Sequence, residues 1–371
     1  MNRRLDLDYR KKPIFRRIRR RTLLLILLGV LLLGGGTWAL FQTSFVQSLL
    51  APISFIVNLS KPVSLQEVDG RVNVLVLGVD TRGSGWSGLT DTILVGSISP
   101  LEGKPALISI PRDFWVNLSP YGQGKINTAY NYSGTQKDGK FDAQKGVEFS
   151  KSKIETVLGV QIPYWVVVNF EGFKEIIDTL EGIEVCVEKS FDDYKYPVPG
   201  KENDPVILRR YERLHFNAGC QTMNGEVALK YARSRSGTNG EASDFARVRR
   251  QQNVIRGVKE KILSLNLLLN PGKLSQLYRQ FNSAIKTNAS FGEIRRSLEI
   301  AAKLGDLSQI ESLVLDPDSG LVFHPKPSLF GGAYVVVPKG GDTNYTKIHQ
   351  AVRNLLFGEP AESAPPQGEK P

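Results

Sequence analysis

Asp80 closes an apolar run that begins at Val72, Asp91 opens a second such run, and Arg112 and Asp113 follow a third. Charged groups at the ends of buried strands stand where layered α/β proteins gather their ligands. If the first two strands are antiparallel neighbours, their acids fall on the same edge of the sheet. Two carboxylates converging with arginines suit Mg²⁺ and phosphate, because Mg²⁺ binds hard oxygens and a guanidinium matches phosphate bidentately. Taken singly, each acid is also ordinary turn chemistry, and Lys125-Ile126-Asn127 reads equally as a surface turn. No Walker-type glycine motif is present, so ATP is not indicated.

A second group of cations lies between Lys230 and Gln252. Arg233 and Arg235 close one helical pattern, and a loop of Gly, Ser, Thr and Asn leads to Asp244, which reads as the N-cap of the next helix. At about 100° per residue, Val248, Ile255, Val258 and Ile262 share one apolar side of that helix, while Arg249 and Arg250 fall away from it and read as solvent-facing. Arg247 and Gln251 lie beside the apolar side at the N-terminal end, where a guanidinium needs an anionic partner to offset its desolvation. From this helix alone, a local pair between Arg247 and Asp244 at i,i+3 stays equally open.

Strand patterns at 72–80, 91–98, 106–110, 164–169 and 183–187 alternate with helical patterns at 143–158, 170–180 and 223–233. This alternation predicts an α/β domain, a layered α-β-α arrangement with a mixed central sheet flanked by helices. Residues 191–217 read as a long polar excursion. Helical patterns return at 273–281, 291–304 and 346–357, with a strand at 333–337.

The net charge of +11 invites a nucleic-acid reading, but ten Lys and Arg against two Asp lie before Thr22. Little excess charge remains for the rest, which argues against a nucleic-acid partner. Residues 1–21 form a cytoplasmic basic segment and 22–41 an uncharged run long enough for one transmembrane helix. The positive-inside rule keeps the basic end in the cytoplasm and exports the chain beyond Phe41, and no strong small-x-small site marks the run as a cleaved signal. The expected organisation continues with a juxtamembrane segment and linker at 42–71, an extracytoplasmic domain at 72–358 and an unstructured tail at 359–371. Three scattered histidines and two cysteines without a C-x-x-C pair point away from zinc or a His-based triad. Cys186 and Cys220 read either as buried thiols or, in an oxidising compartment, as one disulfide.

Six motifs occur in the order and spacing of one family: Leu77-Gly78-Val79-Asp80, Thr90-Asp91-Thr92-Ile93, Ser109-Ile110-Pro111-Arg112-Asp113, Lys125-Ile126-Asn127, Ala228 to Arg235, and Asp244 to Gln252. Together they resemble the LytR-CpsA-Psr family over roughly residues 72–261. The resemblance implies a single-pass, membrane-anchored cell-envelope phosphotransferase of the inner (cell) membrane, working in cell wall biogenesis. Such an enzyme moves a glycopolymer from a polyprenyl-pyrophosphate carrier to a peptidoglycan hydroxyl and releases polyprenyl phosphate.

By the same resemblance Asp80 and Asp91 hold Mg²⁺, and Arg112, Arg235 and Arg247 grip the pyrophosphate. Lys125, Arg233, Asp244 and Gln251 match motif positions, and the general base is Asp244 or a metal-bound Asp such as Asp91. Many members carry an arginine just before the Asp-Thr pair, where this chain has Gly88-Leu89-Thr90; Arg82 is the expected substitute. Leucines between 263 and 269 either line a slot for the polyprenyl tail or belong to the core. A non-catalytic lipid- or polysaccharide-binding envelope module and a membrane-tethered transcriptional attenuator are the alternatives, the latter requiring a cytoplasmic domain.

Overall fold

The computed structural model describes residues 63–358 apart from 82–84, 202, 266–271, 273–276, 280, 282–283, 305–309, 342 and the side chain of Asp244. The expected membrane span, the basic segment before it, Arg82, most of the helical pattern at 273–281 and the tail lie outside the described residues. Among those described, no helix is long and apolar enough to cross a membrane.

In chain order, β1 (Val72–Asp80), β2 (Leu89–Ile98) and β3 (Pro105–Ser109) lead to the short hairpin β4 (Trp115–Asn117) and β5 (Gln123–Lys125), then to α1 (Ala129–Gly134) and α2 (Ala143–Leu158). Next come β6 (Tyr164–Asn169), α3 (Phe170–Thr179), β7 (Ile183–Val187), β8 (Phe191–Pro197), β9 (Tyr211–Phe216) and β10 (Gly219–Met223). The chain continues through α4 (Gly225–Arg233), α5 (Asp244–Ser264), β11 (Ile285–Thr287), α6 (Phe291–Lys303), β12 (Glu311–Val314), β13 (Val322–Phe323), β14 (Val337–Pro338) and α7 (Thr346–Phe357).

The central sheet has the order β11-β6-β1-β2-β3-β12. β1 runs antiparallel to β2 and parallel to β6, while β3 runs antiparallel to β2 and parallel to β12, so the sheet is mixed as the patterning predicts. Alternation along β1 and β2 sends Leu75, Leu77, Val79, Ile93 and Val95 to one face, where they pack with Val147 and Ile154 of α2 and Ile348 and Val352 of α7. On the other face, Leu94, Leu107 and Val76 pack with Val248 of α5. A further core lies beneath the ribbons β7–β10 and β8–β9 and takes in Tyr231 of α4 and Val254 of α5.

Several expectations need correction. Residues 191–217, read from the sequence as a long polar excursion, contain the β8–β9 hairpin, because Leu214 and Phe216 alternate into the core opposite Phe191 and Asp193. The strand expected at 333–337 shrinks to Val337–Pro338, with Val336 bridged to Phe114. The end of the expected linker packs into the domain: Arg71 is buried and donates to Ser97 Oγ and the carbonyls of Lys104 and Leu356. Cys186 and Cys220, direct cross-strand partners on β7 and β10, form a disulfide.

The largest difference concerns α5. Its buried residues are Ala246, Val248, Arg250, Asn253, Val254 and Gly257, while Ile255 is 40% exposed. The helix is covered on two sides, by the sheet near Val248 and by the β7–β10 ribbon farther along, so a single apolar stripe does not describe it. At the ribbon, Gly257 passes so close to β7 that a Cβ there would collide with the carbonyl oxygen of Glu184. Helix propensity favours Ala over Gly by about 1 kcal/mol, but the collision acts the other way. Gly257→Ala is therefore expected to lower stability, by about 1–3 kcal/mol for an overpacked contact. A rise in the urea-unfolding midpoint would contradict this packing.

Candidate active site

The antiparallel pairing of β1 and β2 brings their acids to one edge of the sheet. The register passes from Gly78↔Thr92 to Val79↔Thr90, so Asp91 is the extra residue of a β-bulge. Bulges re-aim side chains, and this one turns Asp91 toward Arg112, which lies just past the end of β3. Arg112 Nη1 is 2.9 Å from Asp91 Oδ1, and its Nε is 3.5 Å from Asp113 Oδ2. Lys125, on β5, closes the far side with its Nζ 2.5 Å from Asp113 Oδ1. Burial by itself lowers the pKa of Arg112, but Asp91 and Asp113 outweigh it and hold the value above the ordinary arginine level.

Packing fixes two residues of the loop before Asp91. A Cβ at Gly88 would collide with the carbonyl oxygen of Asp80, so the chain can enter β2 this close to β1 only with glycine. Thr90 is fully buried and its Oγ1 donates to the carbonyl of Asn127. Leu89 between them is 39% exposed and brings no cation to the site.

Asp80 lies on the same face as Val76, and from there it meets Arg233 at the end of α4, with Nη2 3.7 Å from Oδ2. The Arg233 guanidinium stacks 3.9 Å above the ring of Phe170, the first residue of α3 after β6. The side chain of Asn169, at the end of β6, caps α3 by accepting from Gly172 N, which fixes where Phe170 sits. One edge of the sheet therefore gathers two sets of ion pairs, the chain Asp91–Arg112–Asp113–Lys125 and the pair Asp80–Arg233.

The loop between α4 and α5 is held by two buried charges. Arg250, 1% exposed, donates from Nε to the carbonyl of Tyr231, from Nη1 to the carbonyl and carboxylate of Glu241, and from Nη2 to the carbonyl of Ser234. Glu241, itself buried, also pairs with Arg249, which reaches Glu188 as well. The expectation that Arg249 and Arg250 face solvent is overturned, because the loop supplies a buried carboxylate on the side the helix turns inward.

The second charge is Asp193 of β8, which sequence patterning leaves unmarked. Its carboxylate accepts from Ser234 Oγ at 2.7 Å and from the backbone N–H groups of Lys195, Arg235 and Ser236. Burial pushes this carboxyl upward, but the hydrogen bonds outweigh it and hold the group below the usual carboxylate range.

These restraints place the remaining expected residues. Arg235 projects from the caged loop with an exposed side chain. Arg247 and Gln251 are half-buried at the start of α5, beside Val248, whose contacts with Leu94 and Leu107 bring this end over the β2–β3 face. The helix N-cap is Ser243, which accepts from Ala246 N, so Asp244 is the first helical residue and not the cap. Of the expected lipid slot, Leu265 packs on the second core and 266–269 lie outside the described residues. A cavity of about 710 Å³ opens at the opposite edge of the sheet, around Arg71, Glu102 and Leu356, away from all of these groups.

A sheet edge with three acids braced by two arginines and a lysine can hold a polyanion and, through hard carboxylate oxygens, a divalent cation. That is the chemistry this arrangement permits on a layered α/β scaffold. The chain belongs to the LytR_cpsA_psr family, whose model matches residues 55–324. It is 30% identical over 284 residues to the Polyisoprenyl-teichoic acid–peptidoglycan teichoic acid transferase TagU of Bacillus subtilis (strain 168), covering 74% of this chain and 81% of that one. It is also 30% identical over 233 residues to the Regulatory protein MsrR of Staphylococcus aureus (strain COL), covering 60% and 61%. The crystal structure of B. subtilis TagV superposes with a TM-score of 0.54 at 25% identity, over 79% of this chain and all of that chain.

The two buried charges give measurable expectations. Arg250→Ala leaves Glu241 buried against fewer cations and is expected to cost about 3–5 kcal/mol, the usual penalty for breaking a buried pair from one side. Asp193→Asn is expected to cost about 1–3 kcal/mol at neutral pH. Because the folded pKa of Asp193 is depressed, its stabilisation is full above the unfolded carboxylate value of about 3.9 and is lost as pH falls through the folded one. Urea unfolding across that range is therefore expected to show the gap from wild type closing on acidification. Equal stability at neutral pH contradicts the cage.

Proposed function

We propose that the chain is a membrane-anchored phosphotransferase that moves a glycopolymer from a polyprenyl-pyrophosphate carrier to a peptidoglycan hydroxyl. The observation that carries this reading is the pairing of each strand-end acid with an arginine on one sheet edge: Asp91 with Arg112 and Asp80 with Arg233. Family membership and the transferase activity for which TagU is named support the same class of reaction. The Cys186–Cys220 disulfide fits an exported domain, since such bonds persist in oxidising compartments.

In the proposed reaction the acceptor hydroxyl attacks the phosphorus that bears the glycopolymer. A new P–O bond to peptidoglycan forms, the bond to the bridging pyrophosphate oxygen breaks, and polyprenyl phosphate leaves with the electron pair. The hydroxyl proton passes to a carboxylate, for which Asp244 and a metal-bound Asp are the candidates. Arg112, Arg233, Arg235 and Arg247 would hold the pyrophosphate and neutralise charge growing on the leaving phosphate, the main task in phosphoryl transfer. Lys125 would act through Asp113, bracing Arg112, and Gln251 would border the site beside Arg247.

The donor set of Asp80 and Asp91 fits Mg²⁺: both are hard-oxygen ligands, on adjacent strands at one edge, with side chains 17% and 19% exposed. When bound there, the ion would supply charge neutralisation at the pyrophosphate.

The reading is tested with the full chain in vesicles and a defined polyprenyl-pyrophosphate-linked donor, by measuring release of polyprenyl phosphate. Asp91→Asn and Arg247→Ala are each expected to slow release about 100-fold or more, the scale of a lost charge-stabilising contact, with unchanged unfolding midpoints. Chelation of divalent metal is expected to stop turnover, and added Mg²⁺ to restore it. Wild-type rates in both variants would refute the proposal.

A further inference from the structure

Val206, Ile207 and Leu208 are 44%, 65% and 86% exposed at the tip of the β8–β9 hairpin, where a 3-10 turn (Ile207–Arg210) leads into β9. Three consecutive aliphatic side chains left in water contribute nothing to the folded core and mark a contact surface. Tyr211, 42% exposed, opens β9 beside them, and Lys201 and Arg209 are exposed in the same loop; Tyr194, 56% exposed, and the exposed Lys195 and Arg213 stand farther back, toward the root.

Among the described acids near the hairpin, Asp204 accepts from Val206 N through Oδ1, Glu212 pairs with Lys230 at 2.9 Å, and Asp192, near the root, engages Arg213. An aliphatic point, a tyrosine beside it and basic side chains around and behind it match the acyl chains, the headgroup boundary and the anionic headgroups of a bilayer met from the water side. A folded protein partner usually needs about 800 Å² on each side, and a three-residue point is too narrow to supply it.

We propose that this hairpin tip inserts into an anionic lipid surface and thereby orients the domain. The root of the same hairpin is fixed to the candidate site. Asp193 cages the loop at Ser234, Arg235 and Ser236, and Tyr196 lies beside Arg233, whose guanidinium is 5.9 Å from the ring centre. At about 3.3 Å per strand residue, the end of β8 at Pro197 stands on the order of 13 Å from Asp193, and the tip lies in the loop beyond it. A docked tip would therefore bring the arginine loop level with a phosphate carried just outside the headgroup layer. The effect on turnover rests on the transferase reading above; the docking itself does not.

The test uses the full chain in vesicles of phosphatidylglycerol and phosphatidylcholine. Because Cys186 and Cys220 are bonded to each other, a thiol-directed spin label can be placed in Leu208→Cys protein and, as a control, in Leu101→Cys protein, at the opposite sheet edge and 92% exposed. At position 208 the label is expected to be several-fold more accessible to oxygen than to a water-soluble nickel chelate, with the reverse at 101. Equal chelate access at both positions overturns the proposal, and so does a label at 208 shielded from both reagents, which is the signature of a protein partner. Doubly substituted Ile207→Ser, Leu208→Ser protein is expected to turn over a membrane-borne donor several-fold more slowly and a short-chain soluble donor at the wild-type rate. Equal loss on both donors overturns the orienting role. A label that docks in protein that consumes neither donor refutes the transferase reading and leaves the docking intact.

Discussion

A guanidinium with 1% of its surface in water must be surrounded by anions and carbonyls, and the domain is arranged to supply them to Arg250. Its acceptors are the end of α4 at Tyr231, the loop at Ser234 and the returning loop at Glu241. These groups cannot reach one buried cation unless the loop folds back across α5. Asp193 then holds the same loop from the other side through Ser234, Arg235 and Ser236. Arg233, Arg235 and Arg247 are positioned as a consequence: one precedes the clamped segment, one lies within it and one comes after it.

The opposing half of the site depends on strand geometry. The antiparallel β1–β2 pair puts Asp80 and Asp91 at one edge, and the bulge at Asp91 frees that carboxylate from strict alternation. β3 returns antiparallel to β2, so Arg112 arrives at the same edge. The parallel neighbour β6 brings Asn169 and Phe170 there too, and Phe170 becomes the platform for Arg233. Acids and cations thus reach one another from separate elements: Asp80 ties β1 to the end of α4, Asp91 ties β2 to the segment after β3, and Asp113 ties that segment to β5.

Much of this was legible from residue order. The strands at 72–80 and 164–169 and the helices at 143–158 and 346–357 carry unambiguous periodicity, and the structure places them within those bounds. The shared edge of Asp80 and Asp91 followed from one assumption, antiparallel pairing of β1 and β2, which the register bears out. The features that escaped were tertiary in origin. A helical wheel assigns Arg250 to solvent because it cannot register a carboxylate supplied by a loop, and it buries Ile255 because it allows α5 only one covered side. The β8–β9 hairpin was obscured by its charged residues and by the irregular register between Asp193 and Tyr196, although Leu214 and Phe216 preserve the two-residue alternation of a strand. Asp193 itself looks like a turn residue in sequence; only its four hydrogen-bond donors distinguish it.

Edge acids, clamped arginines and the bulge are the basis of the proposal that a lipid-linked pyrophosphate binds where β1 ends and β2 begins. The most direct measurement is a crystal structure with a short-chain prenyl pyrophosphate bound. The account predicts phosphate oxygens within hydrogen-bond reach of Arg112, Arg233 and Arg247, beside Asp80 and Asp91. A pyrophosphate seated elsewhere, such as in the cavity at the opposite sheet edge near Arg71, would contradict it.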